Sequence, residues 1–258
     1  DSRNAGKGFA KLRDAGIVVD LLPSESADQL VRGHLKRYCE QKPFIRLKLA
    51  MTLDGKTALR NGNSKWITSD EARADVQKLR AESSAIVTGV QTVIDDDPRL
   101  QVREILPEIK HRAEALSVER PVYILDSNLR APESAQLLTR DSVLQVCVEG
   151  VASKVNQARY LEMPANQGRV CLESFVATLA EREHSMVLFE CGATLAGAML
   201  NRALVDELII YVAPRLIGSS GRSLLNLQEI DRMSELVELS INDVRQIGPD
   251  IRISAGRD

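Results

Sequence analysis

The chain has 258 residues, of which 44% are apolar and 27% charged, the composition of an ordinary soluble globular protein. Its net charge is −2, whereas nucleic-acid-binding domains usually carry an excess of basic residues, so no nucleic-acid partner is predicted. The best apolar run, residues 186–200, is interrupted by Glu190, so no membrane partner is predicted either. The four cysteines form no C-x-x-C pair, and we expect a reducing, cytoplasmic location.

Residues 1–42 predict a small piece that cannot build a core alone. A short helix over 9–17 closes at Gly16, and a short strand is predicted over 18–21. Ser24 or Ser26 is the predicted cap of a second helix over 27–38. The chain begins at Asp1 rather than Met, so we expect it to start inside a longer gene product.

A strand and a polar loop follow Pro43, which marks the predicted domain boundary. Ile45, Leu47 and Leu49 alternate with Arg46, Lys48 and Ala50, a period of two that predicts a strand. The sequence TLDGKT follows, and ligands of open α/β sheets bind past such strand ends. Thr68 and Glu71 fit a capping box for a helix running to about Glu82. The simplest alternative is an ordinary strand, a polar loop and a packed Trp66.

The rest of the chain alternates predicted strands and helices, which indicates an α/β fold. The predicted strands are 84–89, 121–127, 144–148, 186–189 and 205–213, with a weaker one within 153–169. Helices or helical turns are predicted over 90–94 and 172–182 and from about 193. Residues 104–119 are polar and predict a peripheral insertion, and 215–225 predict a mobile Gly/Ser loop. Residues 237–242 and 251–254 flank Gly248-Pro249-Asp250 and predict a C-terminal antiparallel hairpin.

The stretch from Ser185 to Leu204 predicts a phosphate cradle, because a buried strand leads through a Gly turn into a helix. It matches neither the P-loop nor the G-x-G-x-x-G pattern, so the motif alone is weak. Gly192 and Gly197 would let a ligand approach the helix start closely. Glu190 ends the apolar strand, where a buried charge is costly without a partner.

Three segments carry a resemblance to the RibD family of bifunctional bacterial riboflavin-biosynthesis deaminase/reductases. KLAMTLDGKTA…NGNSKWITS and LFECGATLAGAML resemble its reductase domain, and AGKGFAKLRDAGI resembles the last helix and strand of its deaminase domain. The resemblance implies a dihydrofolate-reductase-like, mostly parallel sheet with an antiparallel C-terminal hairpin and helices on both faces. It also implies two parts, a remnant of a cytidine-deaminase-like domain plus linker over 1–42 and a reductase domain over 43–258.

The same resemblance implies an NADPH-dependent reduction of 5-amino-6-(5-phosphoribosylamino)uracil to the ribitylamino product. The implied NADP-binding residues are Ala50, Trp66, Thr92, Asp96, Ser127, Gly192, Ala193, Thr194, Leu195, Ala196, Gly197 and Ala198. The implied substrate-binding residues are Ser64, Arg80, Leu100, Arg103 and Glu190, the two arginines being assigned to the phosphate. Lys48 and Glu190 are the hypothesised catalytic pair for the ribose hydroxyls and ring opening, with a structural ion pair as the alternative.

A deaminase zinc site would need an H-x-E motif and a P-C-x-x-C-type pair, and the chain has neither. Deaminase activity is therefore not expected in this chain, and no zinc or other metal is predicted. Two other functions stay open, a related reductase acting on another pyrimidine or a pterin, and an NADP-binding module without turnover. The resemblance also implies a homo-oligomer.

Overall fold

The computed structural model describes residues 4–103, 111–152 and 159–257. Its helices are α1 (Lys7–Asp14), α2 (Glu25–Leu30), α3 (Arg32–Glu40), α4 (Asp70–Glu82), α5 (Val90–Asp96), α6 (Arg112–Ser117), α7 (Leu172–Glu181) and α8 (Ala193–Asn201). Its strands are β1 (Phe44–Thr52), β2 (Lys56–Ala58), β3 (Ala85–Gly89), β4 (Val122–Leu125), β5 (Val143–Val148), β6 (Tyr160–Met163), β7 (Ala165–Asn166), β8 (Arg169–Val170), β9 (Met186–Glu190), β10 (Glu207–Ala213), β11 (Arg222–Ser223), β12 (Ser240–Ile247) and β13 (Asp250–Gly256).

Nine of these strands form one sheet in the order β12-β13-β10-β1-β9-β3-β4-β5-β6. The pairs from β10 to β6 are all parallel, whereas β13 pairs antiparallel with both β10 and β12. The predicted mostly parallel sheet with an antiparallel C-terminal hairpin is thus confirmed. Because the central strands are parallel, their carboxyl ends share one edge, where ligand sites of α/β sheets lie.

Helices cover both faces of the sheet, as predicted, because alternate residues of each strand point to opposite sides. On one face, Leu47 of β1 and Phe189 of β9 pack in a core cluster with Phe175 of α7 and Met199 of α8. On the other face, α4 packs against Leu188, Ile209 and Tyr211, while α5 packs against Ile86, Val122 and Ile124. The face covered by α4 also carries the even-numbered residues of β1, and Lys48 is one of them.

Helix α4 begins one residue later than predicted. Ser69, not Thr68, is its N-cap, because the Ser69 side chain accepts a hydrogen bond from the backbone N–H of Ala72. The helix ends at Glu82, as expected. Two hydroxyl residues in a row left the position of the cap ambiguous, and backbone geometry decided between them.

The N-terminal segment departs most from the predictions. The strand predicted over 18–21 is absent, since no other strand of the described chain pairs with it, and Val18 is 86% exposed. The helix predicted over 27–38 is two helices, α2 and α3, which meet at Val31. Ser24 caps α2, which confirms the first of the two candidate caps. Residues 104–110 of the predicted insertion lie outside the described residues, and 112–117 form α6.

Helix α3 fastens the N-terminal segment to the main sheet. Lys36 pairs with Asp206, and Arg32 pairs with Glu207 at 2.7 Å. Glu207 also accepts from Arg46 at 2.6 Å and from the Ser254 hydroxyl at 2.8 Å. One buried carboxylate therefore joins α3, β1 and β13 at the end of the sheet opposite the predicted site.

Candidate active site

A cavity of about 2390 Å³ opens at the shared carboxyl edge of β1, β9, β3 and β4. It brings together residues that are widely separated in sequence. The predicted site residues that line it are Lys48, Ala50, Ser64, Trp66, Arg80, Thr92, Asp96, Leu100, Arg103, Ser127, Glu190, Gly192, Ala193, Thr194, Leu195 and Ala198. Ala196 and Gly197 are the two predicted site residues that do not line it.

Lys48 and Glu190 are neighbours because β1 and β9 pair in parallel with these two residues in register. The guanidinium of Arg80, on α4, donates two hydrogen bonds to the Glu190 carboxylate, Nε to Oε1 at 2.6 Å and Nη2 to Oε2 at 3.0 Å. Arg80 Nη1 donates a third bond to the carbonyl of Gln101 at 3.2 Å. Lys48 Nζ has no ion pair in the described chain and lies 5.6 Å from the centroid of the Tyr211 ring.

Charge and burial shift the acid–base behaviour of this cluster. Burial alone would raise the pKa of Glu190. The charge and hydrogen bonds of Arg80, together with the charge of Lys48, hold that pKa below its usual value instead. For Lys48, burial lowers the pKa and Arg80 adds to the lowering, while Glu190 opposes both. The cluster therefore holds a fixed carboxylate beside an ammonium that gives up its proton more easily than a free lysine.

The hydrogen bonds of Arg80 bear on the phosphate-binding role predicted for it. The resemblance assigned Arg80 to the substrate phosphate, but three of its N–H groups already bond Glu190 and Gln101. Arg103 is different, because its guanidinium has no partner among the described residues, and only its backbone N–H is bonded, to Gln77. Of the two arginines, Arg103 has its whole guanidinium available for a phosphate, whereas Arg80 has two of its five N–H groups left.

The N-terminus of α8 forms the floor of the cavity. The N-cap residue is Gly192, which has no side chain to accept hydrogen bonds from the first backbone N–H groups of the helix. Those N–H groups are therefore left for a ligand. A Cβ at Gly192 would meet only the Thr92 hydroxyl, 4.0 Å away, which leaves open space in front of the helix. The cradle predicted from the strand–Gly–helix pattern thus has the geometry of an anion site.

Gly197 lies one turn further along α8 and faces protein instead of the cavity. A Cβ there would lie 1.9 Å from the backbone oxygen of Asn226. Asn226 also bonds the α8 N-terminus, from its backbone N–H to the Ala193 carbonyl at 3.1 Å and from its side chain to the Thr194 hydroxyl at 3.0 Å. The small residue at 197 therefore allows the loop to pack on the helix, and Ala196 beside it is fully buried.

The loop before α4 supplies another wall. Ser64 and Asp96, assigned to different ligands, lie together, with the Ser64 hydroxyl 3.4 Å from the Asp96 carboxylate. Trp66 is not packed in the core, since it is 62% exposed and lines the cavity. The Arg73 guanidinium stacks 4.5 Å from its ring centroid, which fixes one side of the indole.

Sequence reasoning did not identify Arg73 or Tyr211 as parts of the site. Tyr211 lies under Lys48, and its hydroxyl donates to the buried carboxylate of Asp75 at 2.6 Å. Strand alternation places Tyr211 on one face of β10, but only the pairing of β10 with β1 puts that face beside Lys48. That pairing links distant segments and leaves no local signal. Arg73 lies on α4 and Trp66 in the loop before that helix, so no helical spacing relates the two residues.

In the described part of the chain, no group of histidine, cysteine or acidic side chains has the arrangement of a metal site. None of the described helices combines the length and apolarity that crossing a bilayer requires.

Comparisons with known proteins identify the family of the chain. The family model described as RibD C-terminal domain matches residues 43–253. Riboflavin biosynthesis protein RibD of Haemophilus influenzae is 38% identical over 255 residues, which is 97% of this chain and 68% of that protein. The 5-amino-6-(5-phosphoribosylamino)uracil reductase of Buchnera aphidicola from Acyrthosiphon pisum is 34% identical, over 76% of this chain and 97% of that protein.

The solved structure of Acinetobacter baumannii RibD, form 1, superposes with a TM-score of 0.84 at 36% identity, covering 97% of this chain and 68% of that one. The matched residues include every strand of the cavity wall described above, from β1 to β10. The chain therefore belongs to the RibD C-terminal domain family, the reductase family of riboflavin biosynthesis.

Proposed function

We propose that this chain reduces the ribosyl group of 5-amino-6-(5-phosphoribosylamino)uracil to the ribityl group, with NADPH as the reductant. The observation that carries the proposal is the Lys48–Glu190–Arg80 cluster, which shares one cavity with the uncapped N-terminus of α8. Similarity to a protein named as that reductase supports the choice of substrate. Reductases of this family use a nicotinamide cofactor, and the choice of NADP is part of the proposal.

The residues present fit a dinucleotide. The amides at the start of α8 suit its pyrophosphate, and the open space before Gly192 lets it approach. Ala50, Thr92 and Ser127 line neighbouring parts of the same cavity. When bound, NADPH supplies the hydride that this reduction requires.

The chain's own residues position the substrate and move one proton. The bond between ribose C1′ and the ring oxygen breaks, C1′ gains a hydride and the ring oxygen gains a proton, which gives the open-chain ribityl group. Lys48 Nζ donates that proton to the ring oxygen, because the lowered pKa of Lys48 makes it a better acid than a free lysine. Glu190, held in place by Arg80, accepts hydrogen bonds from ribose hydroxyls. Arg103 binds the 5′-phosphate with its unpartnered guanidinium.

The test is NADPH consumption with the substrate freshly made by a separate deaminase. Lys48→Met and Glu190→Gln should each lower kcat by about 10²–10⁴-fold, the usual contribution of a positioned proton-transfer group. Circular dichroism and NADPH binding serve as controls that each variant is folded. Near-normal turnover in both variants would remove the assigned roles. A wild-type chain that binds NADPH without consuming it would instead be a binding module.

We also propose that residues 1–42 belong to a deaminase-like domain, since relatives match 97% of this chain whereas the family model begins at residue 43. Apolar side chains left exposed there, such as Val18, Leu22 and Leu30, are those expected to pack inside such a domain. A cytoplasmic, homo-oligomeric enzyme completes the proposal. Size-exclusion chromatography with light scattering would test the oligomer.

A further inference from the structure

The ammonium of Lys48 lies over the ring of Tyr211, which is fully buried at the base of the cavity. The distance from Lys48 Nζ to the ring centroid is 5.6 Å. Strand β10 pairs in parallel with β1, and Tyr211 lies opposite Ala50, two residues along from Lys48. Side chains two residues apart share a face of the sheet, so Lys48 and Tyr211 both lie on the face covered by α4. An ammonium within about 6 Å of an aromatic centroid is attracted to the face of the ring.

Hydrogen bonds at the hydroxyl end of Tyr211 hold its ring in place. The hydroxyl donates to Oδ2 of the buried Asp75 at 2.6 Å, and Arg252 Nη1 donates to the same oxygen at 2.8 Å. Burial and the hydrogen bond to Asp75 raise the pKa of Tyr211, so its hydroxyl keeps its proton where Lys48 gives one up. The hydroxyl is therefore occupied by Asp75, and the ring is the part of Tyr211 that Lys48 meets.

The half-buried Lys48 makes no hydrogen bond or ion pair in the described chain, although Glu190 is its neighbour in register on β9. Both carboxylate oxygens of Glu190 accept from Arg80 instead, at 2.6 and 3.0 Å. Burial and the charge of Arg80 lower the pKa of Lys48 and so favour its neutral amine. The ring of Tyr211 opposes this loss of the proton, because an aromatic face attracts the cation more strongly than the neutral amine.

We propose that Tyr211 is a positioning residue for Lys48, whose ammonium its ring holds in place and keeps protonated for transfer to the substrate. This inference rests on the proposed function, which it deepens. Arg80 has the corresponding role for Glu190, because it fixes that carboxylate with two hydrogen bonds. Each member of the proposed catalytic pair thus has its own positioning partner, one from β10 and one from α4.

Two variants separate the ring of Tyr211 from its hydroxyl. Tyr211→Phe and Tyr211→Leu both lose the hydrogen bond to Asp75, but only Tyr211→Leu loses the ring. Leucine is apolar, so it keeps Lys48 in apolar surroundings. The other titratable groups around Lys48 and Tyr211 in the described chain stay the same in both variants, and they are Glu190, Cys191, Arg80, Asp75, Lys78 and Arg252. A difference between the two variants therefore reports on the ring.

The first measurement is the pH dependence of kcat, which should fall at alkaline pH as Lys48 loses its proton. Tyr211→Leu should move this fall to lower pH by about 0.4–1.5 pH units, the size of a cation–π attraction expressed as a pKa change. It should also lower kcat at pH 7 about 10–100-fold, because the ammonium is no longer held in place. Tyr211→Phe should keep the fall within about 0.2 pH units and kcat within about threefold, because it retains an aromatic face.

The second measurement does not need turnover. In the NMR spectrum of the full chain labelled with isotopic lysine, the Lys48 signal is the one missing from Lys48→Arg, and its titration gives the pKa of Lys48. Tyr211→Leu should lower this pKa, and Tyr211→Phe should leave it unchanged. A wild-type chain without turnover would remove the proposed function and still give this titration, whereas an active enzyme with an unmoved titration would remove the inference alone.

Tyr123→Leu is the matched control, since Tyr123 is another buried tyrosine of the same sheet and does not line the cavity. Its hydroxyl lies 2.9 Å from His184 Nε2, so the change also removes a buried hydrogen bond. It should lower stability and leave the alkaline fall of kcat where it is. If Tyr211→Leu does not fold, Tyr211→Met takes its place with the same expected shift, because methionine adapts to irregular core space.

The inference is overturned if Tyr211→Leu leaves the alkaline fall in place. It is also overturned if the fall moves to higher pH, as a direct Lys48–Glu190 ion pair would cause, or if Tyr211→Phe moves it equally.

Discussion

Lys48 is the residue whose protonation most directly links the structure to activity. It is half-buried beside Glu190 and Arg80, its ammonium makes no direct ion pair in the described chain, and desolvation lowers its pKa. The nearby Cys191 and Tyr211 have raised pKa values instead. Burial and the Glu190 charge raise the pKa of the Cys191 thiol to about 12. Burial and Asp75 raise the pKa of Tyr211. A loss of activity at moderately alkaline pH would therefore report on Lys48.

We predict that kcat falls as the pH rises through a value below 10.5, the ordinary lysine pKa, because the proton donor is then lost. Lys48→Arg should be slower at every pH but should lack this alkaline fall, since a guanidinium stays charged. The pH dependence of kcat in the two proteins is the measurement. An unchanged alkaline fall in Lys48→Arg would assign it to another group.

Helix α8 and its N-cap contain one glycine each, Gly197 and Gly192, whose substitution should have different effects, although sequence reasoning treated them alike. Gly192 borders open space, whereas Gly197 supports the backbone of Asn226. Gly192 therefore belongs to the cavity wall, and Gly197 belongs to the packing of the loop that follows β11. The distinction operates at the level of the element, because the two positions lie on different sides of one helix.

We predict that Gly197→Ala lowers the free energy of unfolding by about 1–3 kcal/mol, as overpacking does, because the new methyl group would displace the loop at Asn226. Gly192→Ala should leave stability within about 0.5 kcal/mol and raise the Kd for NADPH instead. Urea unfolding and NADPH titration separate the two effects. Equal stability of the two variants would contradict the assignment.

The start of α4 offers a second contrast between adjacent residues. Ser69→Ala should cost about 1 kcal/mol of stability, because it removes the acceptor for the Ala72 N–H. Thr68→Ala should cost less, since its side chain makes no cap in this structure. Urea unfolding of the two variants is the measurement. A larger loss for Thr68→Ala would restore the cap position that the capping-box pattern predicted.

The sequence predicted regular elements well where a local pattern determines them. The alternation in β1, the strand–Gly–helix turn at Gly192 and the C-terminal hairpin all depend on neighbouring residues. The Arg80–Glu190 ion pair could not be predicted, because 110 residues separate its members and only strand and helix packing joins them. The strand predicted over 18–21 was wrong for a related reason, since a strand needs a partner that the local sequence does not reveal.

At the scale of the whole molecule, one ionic cluster fastens the N-terminal helices to the sheet. Glu207 binds Arg32 of α3 and Arg46 of β1, and Ser254 of β13 donates to it. Although burial opposes its charge, Arg46 and Arg32 hold the pKa of Glu207 below its ordinary value of 4.5. Because that pKa is lowered on folding, the cluster stabilises the fold above pH 4.5 and this stabilisation is lost as the pH falls below it.

We predict that Glu207→Gln lowers the free energy of unfolding at pH 7 by about 3 kcal/mol, because it leaves Arg46 buried without this partner. The variant should lose less stability than the wild-type chain between about pH 5 and pH 3, a range that spans the ordinary pKa of Glu207. Glu235→Gln, which breaks an exposed pair with Arg232, is the control and should cost under about 1 kcal/mol. Equal costs would mean that the Glu207 cluster is not structural.

The order of the strands also affects how the chain can fold. Strand β9 lies between β1 and β3 in the sheet, although it comes after β6 in the sequence. During synthesis, β1 and the block from β3 to β6 emerge long before the strand that must separate them. Strand β1 and the block that begins with β3 cannot join correctly until β9, residues 186–190, has been made. The insertion of β9 between them brings Glu190 beside Lys48. Closing such a long loop is slow, so the Lys48–Glu190 pair forms late. A chain halted before β9 exposes two central strand edges to aggregation.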